Sequence, residues 1–179
     1  RTTEETHLNW SCYATPAEGL SGKFILQDKK IFGEIKGVTD KNYYTNSFHI
    51  PVGYPISIKD KIDIEAPYHK ICNGGHITYI ELDDYPTEDV IMDILNYAYE
   101  STNINYIGIN FHIKYCRGCG TYLQDTESSC HHCGSSNIQG ISRVTGYLSL
   151  DERFGAGKVA ERKDRISHTH GIHSYDVRN

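Results

Sequence analysis

Residues 76–110 decide the fold class, and they read HITYIELDDYPTEDVIMDILNYAYESTNINYIGIN. The first seven residues, His76 to Leu82, alternate in polarity and are rich in β-branched side chains, which predicts a strand. A second strand is predicted over residues 103–110. Between them, apolar side chains recur at helical spacing: Val90, Ile91, Ile94, Leu95 and Ala98. A strand, a helix and a strand at this length form a βαβ crossover, so the sequence predicts parallel strands in an α/β fold.

The flanking segments carry weaker signals. A short strand is predicted near Phe48–Ile50, and a charged helix over residues 157–168. His49 and His76 are expected to lie on strands as hydrogen-bonded core histidines. The charged side chains of the helix are expected to form a solvated face with i,i+4 pairing: Lys158, Glu161, Arg162 and Arg165.

Composition and charge narrow the classes of function. The chain has 179 residues, 38% of them hydrophobic and 23% charged, which excludes an intrinsically disordered protein. Its formal net charge of −5 lacks the basic excess of a nucleic-acid-binding domain. No apolar run reaches the ~20 residues of a membrane span, and no signal-peptide pattern is present, so we expect a cytoplasmic protein without membrane contact. Because the sequence begins without methionine, we expect a processed chain or a fragment.

Four of the six cysteines are clustered, with the spacing Cys116-X2-Cys119-X10-Cys130-X2-Cys133. Each pair is followed by a glycine, which eases the tight turn that aims two thiolates at one ion. Two such turns close a tetrahedral site, which favours a structural Zn²⁺ because no coordination position stays open. Metal binding would supply the folding free energy that this polar stretch cannot gain from apolar burial.

Other uses of these cysteines stay open at this point, namely iron in the same thiolate cage or two disulfides. Two histidines between the ligands, His131 and His132, are expected to be exposed. Cys12 and Cys72 are expected to be ordinary reduced cysteines. Three C-terminal histidines are more typical of a flexible tail than of a metal site: His168, His170 and His173.

Gly146 lies in the sequence Arg143-Val144-Thr145-Gly146-Tyr147-Leu148. By itself this stretch predicts a strand whose glycine marks a bulge or a close approach. Glycine has a second property, because loss of a Cα hydrogen gives a planar radical that both flanking amides stabilise. Such a radical needs burial, a nearby thiol and the absence of oxygen.

The motifs around Gly146 occur together in one known family. They are Tyr115-Cys116-Arg117-Gly118-Cys119-Gly120, Cys130-X2-Cys133-Gly134, Arg143 to Leu148, Arg153-Phe154, Gly157-Lys158, Glu161, Arg165 and His168. Upstream motifs agree, at residues 13–18, 37–41, 43–49 and 74–79. In this order they resemble the C-terminal end of the class III anaerobic ribonucleoside-triphosphate reductases, and the resemblance covers nearly the whole chain. The family usually has asparagine where Gly155 stands and often proline where His131 stands.

The resemblance implies a fold and a chemistry. The fold would be the C-terminal part of a ten-stranded α/β barrel of the glycyl-radical-enzyme type, followed by a small four-cysteine zinc ribbon and a glycyl-radical loop. We therefore expect a barrel segment at 1–114, a zinc-binding knuckle at 115–140, a radical loop with a docking helix at 141–168, and a flexible tail at 169–179. The activity would be radical reduction of ribonucleoside triphosphates to deoxyribonucleotides for DNA synthesis.

Partners are implied as well. An activase that uses an iron–sulfur cluster and S-adenosylmethionine would abstract hydrogen from Gly146. The radical would pass to a cysteine in the N-terminal remainder of the enzyme, which would also hold the ATP-binding allosteric domain. Formate or a thioredoxin-like donor would supply electrons, and the full enzyme would be a homodimer.

The resemblance also points to further site residues in this chain. Tyr13 is expected either to assist radical transfer or substrate positioning, or to be a buried core tyrosine. Thr45, Asn46 and Ser47 are expected to face the substrate or to line the barrel mouth. Arg143 and Tyr147 are expected to fix the radical loop by packing and hydrogen bonds.

Two other functions remain as alternatives. One is a stand-alone replacement radical domain that docks onto a damaged radical enzyme, although the long segment before the cysteines argues against it. The other is a zinc-ribbon module that binds nucleic acid, which the low basicity argues against.

Overall fold

The computed structural model describes residues 3–14, 19–143 and 146–169. The tail that the sequence predicts beyond residue 169, with His170 and His173, lies outside the described residues. So do Val144 and Thr145 of the predicted radical loop.

Two of the helices in the described ranges begin at a side-chain cap. The helices are α1 (Thr3–Thr6), α2 (Leu20–Phe32), α3 (Ile58–Ile71), α4 (Glu88–Ser101) and α5 (Ala156–Asp164). The hydroxyl of Ser57 accepts a hydrogen bond from the third residue of α3, and Thr87 does the same for α4. Such N-caps satisfy backbone donors that have no partner within the helix.

The strands form two sheets. They are β1 (Thr78–Glu81), β2 (Ile107–Asn110), β3 (Ile113–Cys116), β4 (Tyr122–Leu123), β5 (Ile138–Arg143) and β6 (Leu148–Leu150). β1 and β2 pair in parallel, with Thr78 opposite Ile107, and α4 connects them. This confirms the βαβ unit that the sequence predicts. The other four strands form an antiparallel sheet in the order β4-β3-β5-β6.

One apolar core joins α3, α4 and the parallel strand pair. Its buried members come from both helices, from β1 and from the segments next to the strands: Ile62, Ala66, Ile80, Leu82, Ile94, Ala98 and Ile104. Burial of these side chains supplies the main favourable free energy for this part of the fold.

α2 and α5 cross at a pair of glycines. A Cβ built on Gly157 would lie 2.6 Å from the Cα of Gly22. Only residues without a side chain allow this separation, so the glycine pair fixes how closely the C-terminal helix approaches α2.

Two predicted elements are wrong. Residues 47–48 form a turn instead of part of a strand, with Ser47 at φ 52°, and the N–H of Ile50 donates to the Glu65 carboxylate instead of to a neighbouring strand. The predicted helix over 157–168 ends at Asp164. Beyond it the chain extends, because its backbone N–H groups bond elsewhere: His168 N donates to the carbonyl of Glu81 at 2.9 Å.

The described residues therefore form an α/β fold with a small antiparallel sheet after the parallel pair. Closure into a ten-stranded barrel stays a prediction. Every helix in the described ranges is too short or too polar to cross a lipid bilayer.

Candidate functional site

Two similar backbone turns bring the four clustered cysteines together. Cys116 ends β3, and the N–H of Gly120 bonds back to its carbonyl at 2.9 Å. Gly134 repeats this bond with Cys130 at 2.8 Å. Gly120 and Gly134 have φ of 81° and 72°, a conformation that disfavours side chains, so both glycines are required by the turns.

The sulfur atoms of the two turns face one another. Cys116 Sγ lies 3.6 Å from Cys133 Sγ, and Cys119 Sγ lies 3.5 Å from Cys130 Sγ. All four lie within 4.8 Å of one another and none is in a disulfide, which contradicts the disulfide alternative. Four converging sulfur ligands fit a tetrahedral metal ion. His131 and His132 are exposed, as predicted.

Contacts within the cluster give the thiols of Cys119 and Cys133 different pKa values. The Thr121 hydroxyl lies 3.1 Å from Cys119 Sγ and lowers the pKa of that thiol to about 5. At Cys133 the backbone N–H of Ser135 favours the thiolate, but the neighbouring thiols outweigh it and raise the pKa to about 12. The thiolate form of Cys119 is therefore favoured at neutral pH, and a bound cation would favour loss of protons from its neighbours.

Gly146 lies between two paired strands. Arg143 at the end of β5 is opposite Leu148 at the start of β6. Gly146 is exposed in this chain, and apart from its chain neighbours no heavy atom of the described residues lies within 4 Å of where its Cβ would be. Tyr147 beside it is 52% exposed. The burial that a stable radical needs is therefore not supplied by the described part of this chain.

A buried ion pair between Arg143 and Glu81 joins the end of β5, just before Gly146, to the end of β1. The guanidinium of Arg143 donates from Nη2 to Glu81 Oε1 at 2.6 Å and lies 3.7 Å from the ring centre of Tyr79. Asn110 donates to the other carboxylate oxygen of Glu81. Burial alone would raise the pKa of Glu81, but Arg143 and Arg165 outweigh it and hold that pKa below its usual value. Glu81 is therefore ionised at neutral pH.

Glu81 also holds the segment after α5. Its backbone N–H donates to His168 Nδ1 at 3.0 Å, and its carbonyl accepts from His168 N at 2.9 Å. His168 is only 4% exposed, so the prediction that placed it in a flexible tail is wrong. Its role as the partner of a strand end cannot be seen from the sequence, because the two residues are far apart in the chain.

The solvated face predicted for α5 is wrong as well. Lys158 and Glu161 are 5% and 3% exposed, and Lys158 Nζ lies 2.5 Å from Glu161 Oε2. Arg165 donates to the other oxygen of Glu161 at 2.8 Å. These charges are buried against the segment around Asn46, whose amide donates to Glu161 at 3.4 Å. The i,i+4 pairing itself is present.

Of the four remaining predicted site residues, two line a charged cavity and two do not. Thr45 and Asn46 line a cavity of about 30 Å³ together with Glu81, Arg143 and other charged side chains. Ser47 and Tyr13 are not among its lining residues. The Tyr13 ring is 61% exposed, so Tyr13 is not a core tyrosine in this chain. Its backbone forms a parallel bridge with Gly75.

One known family matches nearly the whole chain. The family model of anaerobic ribonucleoside-triphosphate reductase matches residues 1–168. The chain is 41% identical over 179 residues to the protein of that name from Escherichia coli strain K12, an alignment that covers 92% of this chain and 24% of that protein. The corresponding protein of Enterobacteria phage T4 is 38% identical over 175 residues, with 93% and 29% covered.

Solved structures share the fold. A structure titled anaerobic ribonucleotide reductase superposes with a TM-score of 0.76 at 21% identity, covering 92% of this chain and 26% of that one. The enzyme from Thermotoga maritima with MES in the active site gives a TM-score of 0.69 at 21% identity, with 86% and 24% covered. The chain thus spans about a quarter of the length of the proteins it matches.

Proposed function

Because the chain belongs to the anaerobic ribonucleoside-triphosphate reductase family, we propose that it is the part of such a reductase that stores a glycyl radical, on Gly146. The complete enzyme would reduce ribonucleoside triphosphates to deoxyribonucleotides for DNA synthesis. The observation that carries the proposal is the family match over residues 1–168, which includes the four-cysteine centre and the Gly146 loop in one alignment.

The geometry around Gly146 supports this role. The loop leaves β5 directly after Arg143, whose guanidinium is fixed by Glu81 and Tyr79. Gly146 is exposed. A partner protein can therefore reach its Cα hydrogen. The same exposure means that the radical must be covered by another part of the enzyme once it has formed. An activase could reach a glycine that is accessible in this way. Because Arg143 before the loop is held in place, the loop could then insert into a covering cavity of the enzyme.

The four cysteines would hold a structural Zn²⁺. When bound, the ion would cross-link the two turns and stabilise β3, β4 and β5, whose cluster of buried apolar residues is small, with Cys116, Leu123 and Cys130 as its members. The ligand residues are Cys116, Cys119, Cys130 and Cys133. Because all four positions are filled by sulfur, the centre would support the radical loop without taking part in the reaction.

The substrate would approach from the side of the charged cavity. Thr45 and Asn46 line that cavity, and Asn46 is fixed by Glu161. We assign them, with the neighbouring Ser47, to the substrate-facing surface. Tyr13 lies on the exposed segment that pairs with Gly75, and we assign it to radical transfer or substrate positioning once the rest of the barrel is present.

Exposed apolar side chains support the proposal that another segment of the enzyme packs against this chain. Large hydrophobic residues on and after α2 are half or more exposed: Phe24, Leu26, Ile31, Phe32 and Val38. Soluble monomers seldom expose so many large apolar groups together. We propose that the N-terminal remainder covers them and contributes the thiyl cysteine and the ATP-binding domain.

The other partners follow from the family. An activase with an iron–sulfur cluster and S-adenosylmethionine would generate the radical, and formate or a thioredoxin-like protein would supply the electrons. We place the enzyme in the cytoplasm as a homodimer. Neither nucleic acid nor a membrane is a proposed partner, and Arg117 at the cysteine centre already faces Glu152 at 3.5 Å.

Radical formation tests the proposal directly. The chain is combined anaerobically with its N-terminal remainder and the activase, and S-adenosylmethionine is added. We expect a glycyl doublet in the electron paramagnetic resonance spectrum, then backbone cleavage at Gly146 when air is admitted, which releases residues 147–179.

Two glycine variants make the result specific. Gly146→Ala should lose both the doublet and the cleavage. Gly155→Ala is the matched control, because no described atom outside its chain neighbours lies within 4 Å of its Cβ position, and it should keep both. Equal behaviour of the two variants would refute the assignment of the radical to Gly146. Deoxynucleotide formation only with the remainder present would argue against the replacement-domain alternative.

A further inference from the structure

A second group of metal-binding side chains lies outside the four-cysteine centre. It consists of His49, Glu65 and His76, and we call it the His–Glu–His cluster. One ligand atom of each residue lies within 4.8 Å of those of the other two. Glu65 is fully buried and His76 is 2% exposed, while the side chain of His49 is 15% exposed. The members come from the turn before α3, from α3 itself and from the segment before β1.

Four polar atoms of this cluster have no hydrogen-bond partner among the described residues. They are both ring nitrogens of His76, Nδ1 of His49 and Oε2 of Glu65. A buried polar atom without a partner destabilises the fold, so native proteins rarely keep several of them in one place. Their concentration at one point indicates that the protein has a ligand there.

Neighbouring contacts occupy one oxygen of Glu65 and leave the other close to the histidine rings. Lys61 Nζ and the N–H of Ile50 both bond to Oε1 of Glu65, at 2.5 and 3.1 Å. The second oxygen, Oε2, is 3.5 Å from His49 Nδ1. The rings of His49 and His76 stack at 5.0 Å. A protonated His49 paired with Glu65 would still leave both nitrogens of His76 without a partner.

We propose that His49, Glu65 and His76 bind one divalent transition-metal ion. Two imidazoles and one carboxylate are a donor set for Zn²⁺, Co²⁺ or Fe²⁺. Bonds of about 2.0–2.1 Å place tetrahedral donor atoms about 3.3 Å apart, so the cluster closes inward when the ion binds. Rotation of the His76 ring brings one of its nitrogens toward the carboxylate. The fourth position is left for water, which the adjacent cavity of about 30 Å³ can hold.

Charge and burial set the properties of this site. Burial lowers the pKa of His76 to about 4, so its ring is neutral at pH 7. A neutral imidazole offers the lone pair of one nitrogen to a metal ion and keeps an N–H on the other, so each histidine supplies one ligand atom. The ammonium group of Lys61 bonds to Glu65 Oε1 and would oppose a second positive charge. Its removal should therefore tighten metal binding, by about tenfold or more for charges some 5 Å apart. The ring of His69 contacts the ring of His76 edge-on, but its two nitrogens bond to Thr78 and Asn105. His69 is therefore not counted as a ligand.

Metal titration of the reduced chain tests the proposal. The four-cysteine centre is first filled with Zn²⁺ under anaerobic conditions, and Co²⁺ is then added. We expect one further ion per chain, with visible d–d absorption but without the sulfur-to-metal charge-transfer bands that a thiolate site gives. Bound Co²⁺ should also raise the unfolding temperature in a concentration-dependent way.

Three variants separate the possible outcomes. His76→Phe keeps an aromatic ring and removes two unpaired nitrogens, so it should fold at least as stably without metal and bind Co²⁺ at least about a hundredfold more weakly. His112→Phe is the matched control outside the cluster and should bind Co²⁺ normally. Lys61→Met should bind it more tightly. Failure of the wild-type chain to bind a second ion, or unchanged binding by His76→Phe, would overturn the proposal and leave buried water as the partner of these atoms.

Discussion

Replacing Glu81 by Gln is expected to weaken the whole C-terminal half of the fold. The carboxylate faces the Arg143 guanidinium at 2.6 Å, and the two side chains are 9% and 12% exposed. Its backbone also holds His168, so the residue joins β1, β5 and the segment after α5. The substitution keeps the shape and removes the charge. It also places an amide N–H₂ group where Asn110 now donates to an acceptor.

The magnitude follows from the burial of the pair. Two unit charges about 4 Å apart attract by about 4 kcal/mol at the effective dielectric constant of a protein. Removing one partner of a buried pair typically costs about 3–5 kcal/mol, because the other charge stays desolvated. The Gln oxygen can still accept one hydrogen bond from Arg143, so we expect a loss of about 3 kcal/mol in the free energy of unfolding.

Equilibrium urea unfolding at pH 7 measures this loss. Glu152→Gln is the matched control, because Glu152 faces Arg117 at 3.5 Å with both side chains about half exposed, and it should change the free energy by less than about 1 kcal/mol. A double-mutant cycle with Arg143→Gln should give a coupling energy of about 2 kcal/mol. If Glu81→Gln costs no more than Glu152→Gln, the ion pair does not anchor the loop.

Three further substitutions test other parts of the structure. Gly157→Ala should cost about 1–3 kcal/mol, because its Cβ would meet the backbone of α2, whereas Gly155→Ala should be close to neutral in the same unfolding experiment. Cys116→Ser should abolish metal binding at the four-cysteine centre and melt β3 and β4, measured by elemental analysis and circular dichroism, whereas Cys72→Ser should retain that metal. Burial lowers the pKa of His168 from 6.5 to about 4, so the folded state binds this proton less readily than the unfolded state. Stability should therefore fall as the pH drops from about 6.5 to about 4, and His168→Gln should remove up to about 3 kcal/mol of that fall; identical pH profiles would contradict the shift.

Patterns within short stretches of the sequence predicted the βαβ unit and the four-cysteine centre. The βαβ unit follows from alternation and helical spacing within residues 76–110: β1 and β2 lie inside the predicted ranges, and α4 contains all the side chains predicted to have helical spacing. The cysteine centre follows from spacing alone, since each Cys-X2-Cys turn is a local structure. In both cases the information lies within one short stretch of chain.

The charged interior could not be predicted in this way. Glu81 and Arg143 are 62 residues apart, and neither position differs in pattern from a solvent-exposed charge at a strand end. Lys158 and Glu161 have the spacing of an exposed helix pair, which is why the sequence indicated a solvated face. Their burial depends on how α5 packs against α2 and the turn before α3, and that packing is a property of the whole fold.

The parallel pair of β1 and β2 has a consequence for how this chain acquires its structure. Among the described residues each of the two strands has one partner strand, so no further strand lies beside either outer edge, although Glu81 on the outer edge of β1 bonds to His168. A two-stranded sheet is marginal in water, and unpaired edges recruit other strands. During synthesis the N-terminal remainder would leave the ribosome first, so its strands could serve as a template on which β1 and β2 add. The same chain produced alone should be prone to edge-to-edge association, and supplying the remainder during refolding should suppress it.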